Sequence, residues 1–172
     1  MEAADWMDLR ITPLVYVAGP FAAPNAAATA ENVTRACALS LFAVTKGMSP
    51  IVPHPGIMAG AFGKEASSAE RERGIRMVLV QVENTARAFD GRFWAIRKDD
   101  GGLSAGTHRE LETFGKVYRE RHGLDPHAVN AIVSRTWAEW LTVIPDEVVA
   151  QAGLPWQQAQ VAVPRQRGVS DK

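Results

Sequence analysis

Short apolar runs alternate along the chain with longer stretches in which apolar residues recur every three or four positions, a pattern that predicts strands interleaved with helices. Residues 1–12 are polar and without period. Leu14-Val15-Tyr16-Val17-Ala18 is then a compact apolar run that stops at Gly19-Pro20, which reads as a buried strand ending in a sharp loop. An Ala- and Pro-rich loop to Ala30 leads to a helix with Val33, Ala36, Cys37, Ser40, Leu41 and Val44 on its apolar side and Gly47 as its stop. Pro50-Ile51-Val52-Pro53 predicts a second short strand opening into His54-Pro55-Gly56.

Residues 57–66, with Gly60 and Gly63, read as a loop, and Ser67-Ser68-Ala69-Glu70 as a capping box. The helix that follows would bury Ile75, Val78, Leu79, Val82, Ala86 and Phe89; Met77 to Val80 alone could pass for a strand, but the longer period favours helix. Arg92-Phe93-Trp94-Ala95-Ile96 predicts a third strand, and Lys98-Asp99-Asp100-Gly101-Gly102 a loop. A helix is expected from Thr107 to about His122, with Leu111, Phe114, Val117 and Tyr118 inside, Glu112 and Lys116 paired outside, and Gly123 at its end. Val129, Ile132, Val133, Trp137, Trp140, Leu141 and Ile144 repeat helically, with Leu141 to Ile144 alternatively a strand, and residues 151–172 read as a C-terminal arm. There is no internal repeat.

This alternation predicts an α/β fold: a Rossmann-like or flavodoxin-like parallel sheet flanked by helices on both faces, formed by residues 1–150. Ligands of such folds sit beyond the carboxyl ends of the strands. The loops carrying Gly19-Pro20, His54 and Ser104 to Glu110 all follow predicted strands, so they should gather at one edge.

Composition narrows the functions. Lys plus Arg equals Asp plus Glu at 19 each, so there is no excess positive field to hold polymeric nucleic acid. The single cysteine, Cys37, and the lack of a signal-like N-terminus point to the cytoplasm. No apolar run approaches the roughly 20 residues of a membrane-spanning helix. The four histidines lack acidic partners at ligand spacing, so no metal is expected.

The chemistry concentrates in Ser104-Ala105-Gly106-Thr107-His108-Arg109-Glu110. Two hydroxyls and a glycine at a helix start suit an anion such as phosphate, and Gly19-Pro20 allows a second close backbone approach. No Gly-Lys-Ser or Gly-Lys-Thr segment and no spaced dinucleotide glycines are present, which moves nucleoside triphosphate hydrolysis and hydride transfer down the order. Glu110, one turn before Phe114, borders the buried side, and a desolvated carboxylate can be a nucleophile or proton carrier. Thr107 to Glu110 is equally a capping box in which Glu110 only ties down the helix start. Spacing alone leaves both roles open. His54 and His108 could meet a base or phosphate or make only local hydrogen bonds, and Trp137 and Trp140 read as core or interface.

Tyr16-Val17-Ala18-Gly19-Pro20-Phe21, Val52-Pro53-His54 and the Ser104 to Glu110 segment together resemble the nucleoside 2-deoxyribosyltransferase superfamily, and most closely its nucleoside 5′-monophosphate N-glycosidase branch of the hydroxymethyl-CMP hydrolase type. The likeness covers roughly residues 14–122, and the Ser104 to Glu110 segment is its specific part. It implies a small nucleotide substrate, Glu110 as nucleophile on the sugar, Tyr16 as a contact of that glutamate, and no cofactor. It implies Gly19, Pro20, Phe21, His54, Ser104, Gly106, Thr107 and His108 around the substrate, and a homodimer or higher homo-oligomer. Serine at position 104, where relatives acting on free nucleosides carry an acid, favours a phosphorylated substrate. The family's helix acid and third-strand aspartate have only Glu83 or Asn84 and Asp90 as counterparts, with Asp90 equally a turn residue. Base exchange on free nucleosides and non-catalytic nucleotide binding are the alternatives.

Overall fold

The computed structural model describes residues 12–20, 25–53 and 68–161. Four strands, β1 (Leu14–Ala18), β2 (Ser49–Ile51), β3 (Arg92–Arg97) and β4 (Ile132–Thr136), form one sheet in the order β2-β1-β3-β4, every neighbouring pair parallel. This is the doubly wound order with its reversal between β1 and β3. Pro50 lies in β2, an edge strand, where a missing backbone donor is tolerated.

The helices are α1 (Ala26–Thr45), α2 (Ser68–Arg87), α3 (Ala105–His122), α4 (Trp137–Leu141) and α5 (Asp146–Val161). They divide between the faces because strand side chains alternate. Tyr16, Ala18, Phe93 and Ala95 pack against Val82 and Ala86 of α2 and Phe114, Val117 and Tyr118 of α3. Val15, Val17, Trp94 and Ile96 pack on the other face against Leu39, Phe42 and Ala43 of α1, Trp140 of α4 and Val148 of α5. The expected α/β sheet with helices on both faces is therefore present.

Several local expectations are corrected. Helix α1 starts at Ala26 rather than after Ala30, because the Asn25 side chain caps it by accepting from Ala28 N at 2.9 Å. Its buried stripe is Val33, Ala36, Ala38, Leu39, Phe42 and Ala43; Val44 is exposed and Cys37 only partly covered. On α2, Val82 and Ala86 are buried as expected, but Ile75 is 45% exposed and Phe89, in the turn beyond the helix, 78%. On α3 the exposed pairs are His108 with Glu112 and Lys116 with Glu120, not Glu112 with Lys116.

The largest correction falls on residues 127–144, where helical spacing concealed a strand. Ile132, Val133 and Thr136 are β-branched, and β4 completes the sheet against β3 before Thr136 caps α4 with a full capping box through Glu139. The expected boundary at residue 150 runs through α5, whose Val148 and Ala152 are both buried. The capping serine at position 67 and the loop expected over 57–66 lie outside the described residues.

The turn from α2 into β3 is tight enough to specify its residues. Asp90 adopts φ 59°, and a Cβ on the buried Gly91 would overlap the Thr85 carbonyl oxygen, a backbone atom held within α2. Gly91→Ala is expected to cost at least about 2 kcal/mol through overpacking, read as a lower urea midpoint at unchanged m-value. An unchanged midpoint would show that this turn is free to move.

Candidate active site at the carboxyl edge

After β1 the chain leaves toward α1 on one face of the sheet, and after β3 toward α3 on the other, so a crevice opens beyond these two strand ends. Gly19-Pro20, after β1, and the loop 98–104, after β3, both lie at this edge. That loop is pinned from below. Arg97, at the end of β3, donates through Nε to Ser134 Oγ at 2.9 Å and through Nη1 to the Gly101 carbonyl at 3.1 Å. Lys98 N also donates to the Gly102 carbonyl at 2.9 Å, and Leu103 packs on the core.

Ser104 ends the loop as the N-cap of α3, its Oγ accepting from Thr107 N at 3.1 Å and lying 2.8 Å from Thr107 Oγ1. The helix thus begins at Ala105, two residues earlier than expected, which makes Glu110 its sixth residue. A capping-box acid sits at the third helical position, here Thr107. Glu110 is therefore not a helix cap, and its conformation needs another reason. The amides of Ala105 and Gly106 have no partner among the described residues, the usual state of a helix's first turn and the reason it attracts anions. Gly106 is exposed, and a Cβ there would meet only Ser104 Oγ at 4.0 Å. Local packing does not demand this glycine; its lack of a side chain keeps the space before the helix terminus open.

Glu110 shares a helix face with the buried Thr107, three residues before it, and Phe114, four after. An aromatic ladder fixes that face against the sheet: Tyr16 stacks on Phe93 with centroids 5.4 Å apart, Phe93 meets Phe114 at 5.4 Å, and Phe114 stacks on Tyr118 at 5.6 Å. The Glu110 carboxyl is consequently half-buried beside the Tyr16 phenol. Burial raises its pKa to about 7, opposed in part by the Tyr16 hydroxyl. Burial, then the Glu110 charge, raise the Tyr16 pKa in turn. The phenol oxygen is buried without a partner at full hydrogen-bond geometry, so its contact with Glu110 is a close but loose one.

The structure gathers Tyr16, Gly19, Pro20, Ser104, Gly106, Thr107 and Glu110 at this edge. It does not bring Asp90 there. Asp90 precedes β3, at the amino edge about 20 Å of strand away, in a left-handed turn where it pairs with Arg92 at 2.9 Å. The turn reading of Asp90 is the right one. Glu83 and Asn84 lie in the last turns of α2 at that same far edge, Glu83 paired with Arg87 at 2.9 Å. His108 is exposed, points to Glu112 at 3.5 Å, and sits about 200° around the helix from Glu110. Phe21 and His54 lie outside the described residues. Arg97 and Ser134 escaped the sequence reading, Ser134 because its strand was read as helix; an arginine directly after the apolar run Phe93 to Ile96 was the available signal. Among the described residues no three His, Cys, Asp or Glu side chains are grouped to hold a metal, and no helix is long and apolar enough to cross a membrane.

Fold and edge together define a doubly wound α/β domain with a desolvated glutamate behind a serine-capped helix start. The chain belongs to the family described as a domain of unknown function, DUF7768, whose model matches residues 13–116, from the start of β1 into α3. Comparison with curated proteins and with solved structures found no match.

A carboxyl whose pKa is higher in the folded than in the unfolded chain favours folding when protonated. That contribution is full below its ordinary value of 4.5 and lost as pH rises through about 7. Glu110→Gln, which fixes a neutral group of the same size, should therefore stabilise the protein at pH 8 by up to about 3 kcal/mol, several degrees in melting temperature, and give no gain at pH 4. Equal stability at both pH values would show that Glu110 is solvated.

Proposed function

We propose that the protein is a nucleotide N-glycosidase, a hydrolase that cleaves the N-glycosidic bond of a nucleoside or deoxynucleoside 5′-monophosphate with Glu110 as nucleophile. The observation that carries this reading is the placement of one desolvated carboxyl and one open helix N-terminus on the same helix. Gly106 and Glu110 are separated by four residues, about 6 Å along the axis. The phosphate would bind the Ala105 and Gly106 amides and the Ser104 hydroxyl, leaving the sugar beside Glu110. The resemblance of Tyr16 to Pro20 and of Ser104 to Glu110 to the N-glycosidase branch supports the same assignment.

In this mechanism a Glu110 Oε bonds to C1′ as the C1′–N bond breaks, and the base leaves with that electron pair and takes a proton from water. A second water then adds at C1′, releasing the carboxylate and the sugar phosphate, with one water consumed overall. Burial that makes the Glu110 charge costly in the empty site works in favour of the reaction. The sugar becomes positively charged in the transition state and compensates a carboxylate that solvent does not. Tyr16 would hold the carboxyl group in place.

The test is release of free base from a panel of 5′-monophosphates. Glu110→Ala should lower the rate at least about a thousandfold while the protein stays folded. The kcat/KM for the active substrate should fall about tenfold per pH unit below pH 7, because only the ionised carboxylate attacks. No release from any monophosphate, or release indifferent to Glu110, would overturn the proposal; release only when an acceptor base is supplied would instead identify a transferase. Ser104→Asp separates two roles of Ser104, since aspartate caps a helix equally well but repels phosphate. It should raise KM for the monophosphate at least about tenfold and leave the melting temperature within a few degrees.

A further inference from the structure

Between β3 and α3 the chain closes on itself before it reaches Ser104. Gly101 N donates to the Lys98 carbonyl and Lys98 N to the Gly102 carbonyl, both at 2.9 Å, with Gly101 at φ 82°. These bonds give the turn its shape but do not fix where it stands over the sheet. Asp99 lies 3.7 Å from Arg35, and Asp100 3.3 Å from Lys98, but both carboxylates are exposed, and pairs of that kind hold little.

Arg97 is placed differently. Strand alternation puts it with Phe93 and Ala95 on the face that α3 covers, and Ser134, paired in register with Ala95, lies beside it on β4. Its partly buried guanidinium joins two elements: Nε donates to Ser134 Oγ at 2.9 Å and Nη1 to the Gly101 carbonyl at 3.1 Å. Gly101 stands three residues before Ser104, the N-cap of α3, and Leu103 between them is packed on the core. A planar fork holds two acceptors in one fixed relation, which an ammonium on a flexible stem does not.

We propose that Arg97 is a positioning residue for the anion site at the start of α3: by tying Gly101 to Ser134 it holds the Ala105 and Gly106 amides and the Ser104 hydroxyl in the arrangement that binds phosphate. The inference rests on the phosphate placement in the proposed function, not on bond cleavage. More than a helix terminus marks that edge, since the phenol oxygen of the fully buried Tyr16 lies against Glu110 without a partner at full hydrogen-bond geometry. The rotation of α3, and Glu110 with it, is set by the Phe93 and Phe114 rings, so Arg97 acts on binding and not on the reacting carboxyl.

Inorganic phosphate is the probe, followed at the amide resonances of Ala105 and Gly106 in the full chain, both of which it should shift saturably. Arg97→Lys keeps the charge and loses the fork, and should weaken phosphate at least about fivefold. Ser134→Ala removes one anchor without touching any charge and should weaken it about threefold, a comparison that does not require the arginine variant to fold. Asp99→Ala, in the same turn, should leave the affinity within about twofold. For the active monophosphate, Arg97→Lys should raise KM by the factor seen with phosphate and leave kcat within about twofold, a split that general loss of structure would not give. Unmoved amides in the unaltered protein, phosphate binding indifferent to Arg97→Lys or Ser134→Ala, or a kcat that falls as far as KM rises would overturn the proposal. Phosphate shifts weakened in the variants, with no base released from any monophosphate, would overturn the activity assigned to Glu110 while supporting the role of Arg97.

Discussion

The candidate site depends on how α3 is seated on the β1–β3 pair. Phe114 packs on Phe93, and Phe93 carries Tyr16, so one line of rings fixes both the rotation of the helix and the tyrosine that meets it. The constraint is angular. Successive helix residues are separated by about 100°, so seating α3 one residue out of register would turn Glu110 into solvent and bring a neighbour beside Tyr16. Burying a carboxyl with only a loose polar partner is unfavourable. The carboxyl remains there because the aromatic contacts that set the helix rotation are worth more than the desolvation they impose.

That compromise gives the edge its character. The first turn of α3 offers unpaired amides and the positive end of the helix dipole, while Glu110, little more than a turn along, presents a carboxyl held near neutrality by burial. A ligand negative at one end and able to become positive at the other complements both features. Arg97 and Ser134 keep the loop before Ser104 in shape from the neighbouring strands, so the helix start is braced by the sheet.

The alternation of β3 supplies both sides of the molecule. Phe93 faces α3 and supports the Glu110 edge; Trp94, the next residue, faces α1 and α4 and packs in the opposite core. The two cores are separated by the thickness of the sheet and share its strands.

Much of this was legible in the sequence because it is encoded by local order. The apolar runs at Leu14–Ala18 and Arg92–Ile96 mark central strands, their alternation with helical stretches marks a parallel sheet, and strand-then-loop order alone places Gly19 and Ser104 at one edge. Residues 132–136 misled because five β-branched and polar positions embedded among tryptophans also fit a helical repeat, and only pairing with β3 decides between the two. By the same strand-then-loop order Asp90, which precedes the third strand, falls at the opposite edge, whereas His108 could not be placed from sequence, since its position depends on the rotation of α3 about its axis. The sequence by itself determined the order of the elements and the chemical groups near the strand ends. Tertiary packing decided which of them converge, by setting where α3 begins, how it is turned against Phe93, and therefore that Glu110 loses its solvent.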